Sequence, residues 1–187
     1  MSNGDLQTTG FIDRLRSGEK DAFAELVDTT SAKIYGLALR MLSNEQDAED
    51  VLQETYLKAY KALPGFEFRS SLSTWLFRIA ANEALMVLRK RKNAAPILEV
   101  DADVEEDEEP LEIVDWCCLP ESEFLTSETR SQLSQASTQL SPALRMVFLL
   151  RDVQGFSVSE TAEILDLNEN VVKTRLVRAR LKLRENL

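Results

Sequence analysis

The sequence predicts an all-α protein, and three observations lead to this prediction. Its 187 residues include only six glycines and five prolines, so residues that interrupt helices are scarce. Apolar residues recur at helical spacing over several long stretches, whereas the alternation typical of strands is absent over any useful length. The chain is 44% hydrophobic, which is enough to bury the cores of one large or two small domains.

Composition also excludes several classes of function. The chain has no histidine, and its two cysteines, Cys117 and Cys118, are adjacent, which is not metal-ligand spacing or a typical structural disulfide. It has no recognisable catalytic constellation and no glycine-rich phosphate loop. We therefore expect a binding protein that is not an enzyme and that uses no cofactor or metal. No apolar run approaches the roughly 20 residues of a membrane helix, so we expect a cytoplasmic protein without membrane insertion.

The net charge of −10 is distributed unevenly. Residues 93–123 contain 12 of the 32 acids and no Lys or Arg, which leaves 20 acids against 22 bases elsewhere. Three prolines and the lack of helical periodicity predict a flexible acidic linker over residues 93–120. The sequence therefore predicts two helical domains, residues 1–92 and 121–187, joined by this linker.

The first domain contains a helix with an unusually polar face. Residues 43–46 have the pattern of a capping box, and the helix they open is ended by Pro64 and Gly65. The polar face consists of Asp47, Asp50, Gln53 and Glu54. An acid in the first turn, such as Asp47, stabilises a helix by itself. The three residues beyond that turn are better explained as a surface for a partner.

The next helix, predicted over residues 72–92 and capped by Ser70 or Ser71, follows a loop with two aromatic residues and an arginine. The loop contributes Phe66, Phe68 and Arg69, and the helix ends in four consecutive basic residues. Aromatic rings, a helix N-terminus and basic side chains together suit unpaired bases and their phosphates. Trp75 is expected to be a core residue.

The end of the chain predicts a helix-turn-helix. Ser157 and Glu160 form a capping box for the first helix, and Asn168 can cap the second. The second helix buries Val172, Leu176, Ala179 and Leu183 and presents six cations outward, at positions 173, 175, 178, 180, 182 and 184. Basic residues near a helix C-terminus also complement the helix dipole. In an acidic protein, however, the combination with a tight turn favours binding to DNA.

Three segments of this sequence, in this order, resemble the extracytoplasmic-function (ECF) group of bacterial sigma factors. Residues 47–59 look like the helix that binds the clamp of RNA polymerase, and residues 70–82 look like the segment that opens and reads the −10 promoter element. Residues 140–165 and 172–180 look like the region that binds the −35 element.

The resemblance implies a non-enzymatic factor that makes core RNA polymerase promoter-specific. Asp47, Asp50, Gln53 and Glu54 would face the polymerase. Lys173, Thr174, Val177 and Arg178 would enter the major groove, and Arg175 and Arg180 would hold phosphates. The residues that would contact the melted −10 strand are Phe66, Phe68, Arg69, Ser70, Phe77, Arg78 and Asn82. Whether a dedicated anti-sigma factor also binds is left open.

The chain departs from the family pattern in three places. Glu67 to Arg69 reverse the usual order of charges before the serines. Asp166 replaces the usual turn glycine, and Asn168 and Asn170 replace a proline and a glycine, although Asp and Asn tolerate the left-handed conformation. The linker is unusually acidic; its acids either mimic nucleic acid or form a solvated spacer. The alternative function is a two-domain helix-turn-helix regulator that binds duplex DNA without being a polymerase subunit.

Overall fold

The structure, a computed structural model, describes residues 9–67, 70–94 and 136–185. Every regular element in these ranges is helical, which confirms the all-α prediction. The helices are α1 (Thr9–Arg16), α2 (Lys20–Leu42), α3 (Glu45–Ala62), α4 (Leu72–Ala94), α5 (Pro142–Phe148), α6 (Val158–Leu165) and α7 (Glu169–Glu185). A 3₁₀ turn, Leu63–Gly65, follows α3, and a π-helical turn, Leu149–Val153, continues α5.

The N-terminal lobe, residues 9–94, is a bundle in which α2, α3 and α4 pack against one another. Each helix contributes one apolar stripe to the core, as the helical spacing in the sequence predicts. The short α1 covers one end of the bundle, where Phe11, Ile12 and Leu15 are buried. Gly18, at φ 79°, makes the turn from α1 into α2.

The turn between α2 and α3 differs from the predicted capping box. Ser43 adopts the left-handed conformation (φ 52°) that ends α2, and its N–H donates to the carbonyl of Leu39. Asn44 is consequently the N-cap of α3, and its side chain accepts a 2.9 Å bond from the N–H of Asp47. The prediction of Ser43 as the cap was wrong because one residue cannot be both the left-handed end of α2 and the extended start of α3.

A buried hydrogen bond joins α2 to α3. The hydroxyl oxygens of Thr30 and Tyr56 are 2.6 Å apart, and the Thr30 hydroxyl donates to the carbonyl of Leu26. Because Thr30 has a single hydroxyl proton, Tyr56 must be the donor to Thr30. Burial raises the pKa of the Tyr56 phenol above its ordinary value of 10.0, so this phenol is neutral and able to donate throughout the physiological range.

The C-terminal lobe, residues 136–185, contains α5, α6 and α7. Ser141 and Pro142 begin α5, since proline at the first helical position lacks only an N–H that would have no helical partner. Gly155, at φ 79°, ends the segment and turns the chain toward α6. The inner faces of α6 and α7 meet α5 in a small buried cluster made of Val147, Ala162, Val172 and Leu176.

The two lobes are packed together and share a hydrophobic core. Phe148, Leu149 and Leu150 of the C-terminal lobe belong to the same buried cluster as Leu26, Ile34 and Leu76 of the N-terminal lobe. The main contact lies between α4 and α6, with further contacts from α2. The sequence indicated two helical units but gave no sign that one would pack on the other.

Candidate polymerase and nucleic-acid interfaces

The outward face of α3 carries the predicted polymerase-binding residues. Asp50, Gln53 and Glu54 are all exposed and lie at spacings of three and four residues, which places them on one side of the helix. Asp47 differs from them, because the guanidinium of Arg91 forms an ion pair with its carboxylate and also donates to the carbonyl of Leu42. Asp47 therefore helps to hold α4 against the α2–α3 turn.

Two exposed apolar side chains extend this surface and were not predicted from the sequence. Leu57 is 47% exposed and Tyr60 is 48% exposed, and the Tyr60 ring packs edge-on against Phe23 at a centroid distance of 5.0 Å. Leu57 is one turn beyond Gln53 and Glu54, so it lies near the centre of the polar face. Helical spacing places Leu57 on the same face as Gln53, so the sequence could have identified it as part of the binding surface. Only the structure shows that its side chain is exposed. We call Asp50, Gln53, Glu54, Leu57 and Tyr60 the α3 face.

The described residues of the loop before α4 are more buried than expected for side chains that contact a DNA strand. The Phe66 ring is buried and lies 4.9 Å from the Trp75 ring, so both residues pack at the edge of the core. Ser70 is half-buried, and Ser71 is the residue that caps α4, since its hydroxyl accepts a 3.0 Å bond from the N–H of Thr74. The other two predicted loop contacts, Phe68 and Arg69, lie outside the described residues.

Three predicted −10 contacts lie on α4, and the structure separates them into two groups. Arg78 and Asn82 point outward one turn apart, Arg78 being half-buried and Asn82 exposed. Phe77 is only 1% exposed, and its ring meets the ring of Phe156 from the C-terminal lobe at 4.8 Å. In this arrangement neither Phe66 nor Phe77 is accessible, so stacking on a DNA base would require both rings to be uncovered.

The helix-turn-helix forms as the sequence predicts. The hydroxyl of Ser157 accepts from the N–H of Glu160 at 3.1 Å, and the Glu160 carboxylate accepts from the N–H of Ser157 at 2.8 Å. Asp166 takes the left-handed conformation (φ 55°) at the end of α6, where a glycine is usual. The side chain of Asn168 accepts a 2.9 Å bond from the N–H of Asn170 at the start of α7. The polar substitutions therefore preserve the turn.

The recognition helix α7 has one apolar and one polar side. Val172, Leu176, Ala179 and Leu183 are all buried, which confirms their predicted orientation. At about 100° per residue, the positions of the predicted groove contacts lie on the opposite side. These residues are Lys173, Thr174, Val177 and Arg178, and each is half-buried.

The two predicted phosphate contacts flank the apolar side of α7, and their surroundings differ. Arg180 forms a bidentate ion pair with Asp152, with Nε to Oδ2 at 2.9 Å and Nη2 to Oδ1 at 2.7 Å. The pair joins α7 to the π-helical turn, which indicates that Arg180 positions the recognition helix. Arg175 is half-buried, and desolvation lowers the pKa of its guanidinium below the ordinary value, although the group remains protonated at neutral pH.

Within the ranges 9–67, 70–94 and 136–185, no helix combines the length and apolar character needed to cross a bilayer. The same part of the chain contains no group of three or more Cys, Asp or Glu side chains arranged to hold a metal ion.

Comparison with known proteins identifies the family. Residues 26–94 match the model for Sigma-70 region 2, and residues 130–183 match the model for Sigma-70 region 4. The chain is 36% identical over 179 residues to the ECF RNA polymerase sigma factor SigW of Bacillus subtilis, with 94% of both chains covered. The chain belongs to the ECF sigma factors. It is also 34% identical to the RNA polymerase sigma-H factor of Pseudomonas aeruginosa, covering 93% of this sigma factor and 90% of that protein.

Solved structures agree with this assignment. The structure of CnrH in complex with the cytosolic domain of CnrY matches this sigma factor with a TM-score of 0.67 at 24% identity. The match covers 94% of this sigma factor and 93% of the CnrH chain, and it supports the fold. The sigma factor RpoE of Bartonella quintana, in complex with the anti-sigma factor NepR, matches 88% of the chain with a TM-score of 0.64 at 26% identity, covering 95% of RpoE. The fold and the order of the two regions are those predicted from the sequence.

Proposed function

We propose that this sigma factor binds core RNA polymerase through the α3 face and directs it to promoters by using the two lobes for two DNA elements. The observation that carries the proposal is the presence, in one chain, of an exposed polar helix face and a fully formed helix-turn-helix. Sigma factors act as transcription initiation factors and not as catalysts. The alternative of a duplex-binding regulator is not favoured, because such a protein needs no region 2.

The α3 face is suited to a protein partner. Asp50 and Glu54 supply charge for a basic counterpart, and Leu57 supplies an apolar centre surrounded by polar groups. Protein interfaces are commonly built as an apolar centre with a polar rim. We assign Asp47 a supporting role, since Arg91 already occupies its carboxylate.

The DNA contacts divide between the lobes. Arg78 and Asn82 of α4 would contact the melted −10 strand, together with Phe66, Phe68, Arg69, Ser70 and Phe77. The outer side of α7 would read the −35 element, with Lys173, Thr174, Val177 and Arg178 in the major groove. Arg175 would contact a phosphate from the flank of the helix. We exclude Arg180 from the phosphate contacts because its guanidinium donates two hydrogen bonds to the carboxylate of Asp152.

Run-off transcription tests this function without knowledge of the promoter sequence. Templates with a randomised stretch upstream of a common reporter would be transcribed by bacterial core polymerase with and without the chain, and the RNA ends sequenced. We expect enrichment of start sites that share two spaced elements. Transcription that remains identical to that of core polymerase alone would contradict the proposal. Thr174→Ala and Val177→Ala should change the upstream element, whereas Asn82→Ala should change the downstream element.

Two further properties follow from membership in this family. We propose that the protein works in the cytoplasm, where bacterial polymerase and the chromosome are found. We also propose that an anti-sigma factor regulates it, because a sigma factor of the same fold, RpoE of Bartonella quintana, has been solved in complex with the anti-sigma factor NepR. Residues 1–92, 93–120 and 121–187 remain our proposed division into region 2, acidic linker and region 4.

A further inference from the structure

The start of the predicted −10-reading loop rests on the first helix of the chain. α1 packs against α2 and against the 3₁₀ turn Leu63–Gly65, which leads directly into that loop. Leu63 is 2% exposed and belongs to the same hydrophobic cluster as the inner face of α1. That inner face consists of Phe11, Ile12 and Leu15, which are 6%, 3% and 2% exposed. The contact therefore joins the N-terminal helix to the segment from which the loop departs.

Both ends of the loop are fixed by contacts of their own. At the start of the loop, the N–H of Phe66 donates to the carbonyl of Leu63 at 3.0 Å, and the Phe66 ring packs on Trp75. At the end of the loop, the hydroxyl of Ser71 caps α4. Residues 67–70, which include two predicted strand contacts, lie between these points in the sequence. The position of the loop is consequently set by the groups that hold its two ends.

Packing has a large part in holding the 3₁₀ turn. Pro64 has no N–H, so this residue cannot donate a backbone hydrogen bond to hold the turn. Pro64 and Gly65 are exposed, and Leu63 is the residue of the turn that is buried against the bundle. A binding site keeps its geometry only when packed supports hold it within about 0.5 Å. For the start of this loop, α1 is such a support.

The turn between α1 and α2 holds α1 in a defined direction. The N–H of Gly18 donates to the carbonyl of Leu15 and the N–H of Glu19 donates to the carbonyl of Arg14, both at 3.1 Å. Gly18 has a φ of 79°, a left-handed conformation that is unfavourable for residues with a side chain. A Cβ at Gly18 would meet no atom within 4 Å, so the backbone conformation alone favours glycine here. A substitution at this position can therefore strain the turn and leave the core intact.

We propose that α1 is a brace for the −10-reading loop, in which its buried face holds the 3₁₀ turn in place and thereby sets the selectivity for the −10 element. Phe11, Ile12 and Leu15 are positioning residues, since they are buried and act on DNA only through the turn. The α3 face and the helix-turn-helix do not depend on this brace. The inference rests on the proposed function, because it explains how one of the two DNA-reading surfaces is held.

Run-off transcription from the randomised templates tests the brace, because it reports the two promoter elements separately. The variant is Gly18→Ala, which strains the turn after α1 without creating a cavity. The matched control is Gly10→Ala, where a Cβ also meets no atom within 4 Å and φ is not positive. Gly18→Asn is the rescue variant, since Asn tolerates the left-handed conformation.

We expect Gly18→Ala to reduce the enrichment of the downstream element about threefold or more, because only molecules with a docked α1 read it selectively. Enrichment of the upstream element and affinity for core polymerase should stay at wild-type values, as should all three quantities for Gly10→Ala and Gly18→Asn. An unchanged downstream element, or a parallel loss at both elements, would overturn the inference and leave the proposed function intact. Wild-type protein that enriches neither element would instead count against the proposed function.

A second pair of variants decides the question if Gly18→Ala fails to fold. Leu15→Ala and Leu37→Ala make the same truncation at buried positions in α1 and α2, and both leave a cavity in the bundle. The two variants would be compared at a temperature at which circular dichroism shows both to be folded. We expect only Leu15→Ala to reduce the enrichment of the downstream element. Equal enrichment by the two variants would show that α1 merely covers the core, which would overturn the inference.

Discussion

The ion pair between Asp152 and Arg180 gives the sharpest test of how the recognition helix is held. The two side chains are 11% and 31% exposed, and they share two charge-assisted hydrogen bonds. Exposed pairs contribute about 0–1 kcal/mol, whereas breaking a buried pair costs about 3–5 kcal/mol. Asp152→Ala should therefore lower the free energy of unfolding by about 2 kcal/mol, because it leaves a half-buried guanidinium without its carboxylate.

Urea unfolding followed by far-ultraviolet circular dichroism would measure this change. Glu163→Ala, at an exposed acid of the same lobe, is the matched control and should change stability by less than ~0.5 kcal/mol. A double-mutant cycle with Arg180→Ala would isolate the coupling between the two side chains. A coupling near zero would refute the assignment of Arg180 as a positioning residue.

The salt dependence of DNA binding by Arg180→Ala distinguishes a positioning role for Arg180 from a phosphate contact. Each phosphate contact changes the slope of log affinity against log salt by about 0.9 for duplex DNA. Arg175→Ala, at the proposed phosphate contact, should reduce the slope by about this amount, whereas Arg180→Ala should weaken binding without changing the slope. A reduced slope for Arg180→Ala would show that Arg180 leaves Asp152 to bind DNA.

Three further predictions concern other parts of the molecule. Leu57→Ala should weaken binding to core polymerase about tenfold in a pull-down titration. The control, Met86→Ala, changes an exposed apolar residue on α4 and should have little effect. Equal effects of the two variants would argue against the α3 face as the polymerase-binding surface. Tyr56→Phe should cost about 1 kcal/mol, since Thr30 loses its donor. Burial raises the pKa of Tyr56 in the folded state above the ordinary value of 10.0. The wild-type protein therefore keeps this contribution to its stability below pH 10.0 and loses it as the pH rises through the folded-state pKa. Tyr56→Phe should not show this loss in urea titrations at alkaline pH. Ser157→Ala should destabilise the protein by about 1 kcal/mol in thermal unfolding, and no change would show that the capping box is dispensable.

Local features of the fold were predictable because they depend on neighbouring residues. Ser157 and Glu160 contain the whole capping box within four positions, and the buried stripe of α7 follows from helical spacing alone. The boundary between α2 and α3 was less predictable. Ser43 and Asn44 are both good capping residues, and which of them caps depends on how the preceding helix ends.

The candidate sites were predictable only in part, because accessibility and pairing depend on distant segments. An aromatic residue such as Phe77 reads equally well as a core residue or as a stacking platform. Its ring contacts Phe156, which lies far along the chain, and it is only 1% exposed. Likewise, Arg180 reads as one cation in a basic helix, and only the position of Asp152 shows that it is held in an ion pair.

The sequence by itself determined the helical class, the helix-turn-helix and the presence of two units, because periodicity and capping are local properties of the chain. Tertiary structure alone decided that the two units share a core, that Leu57 and Tyr60 are exposed and that Arg145 donates to the end of α2. The physical reason is that burial and long-range hydrogen bonds depend on which surfaces meet, and a one-dimensional pattern of apolar residues marks a face without naming its partner.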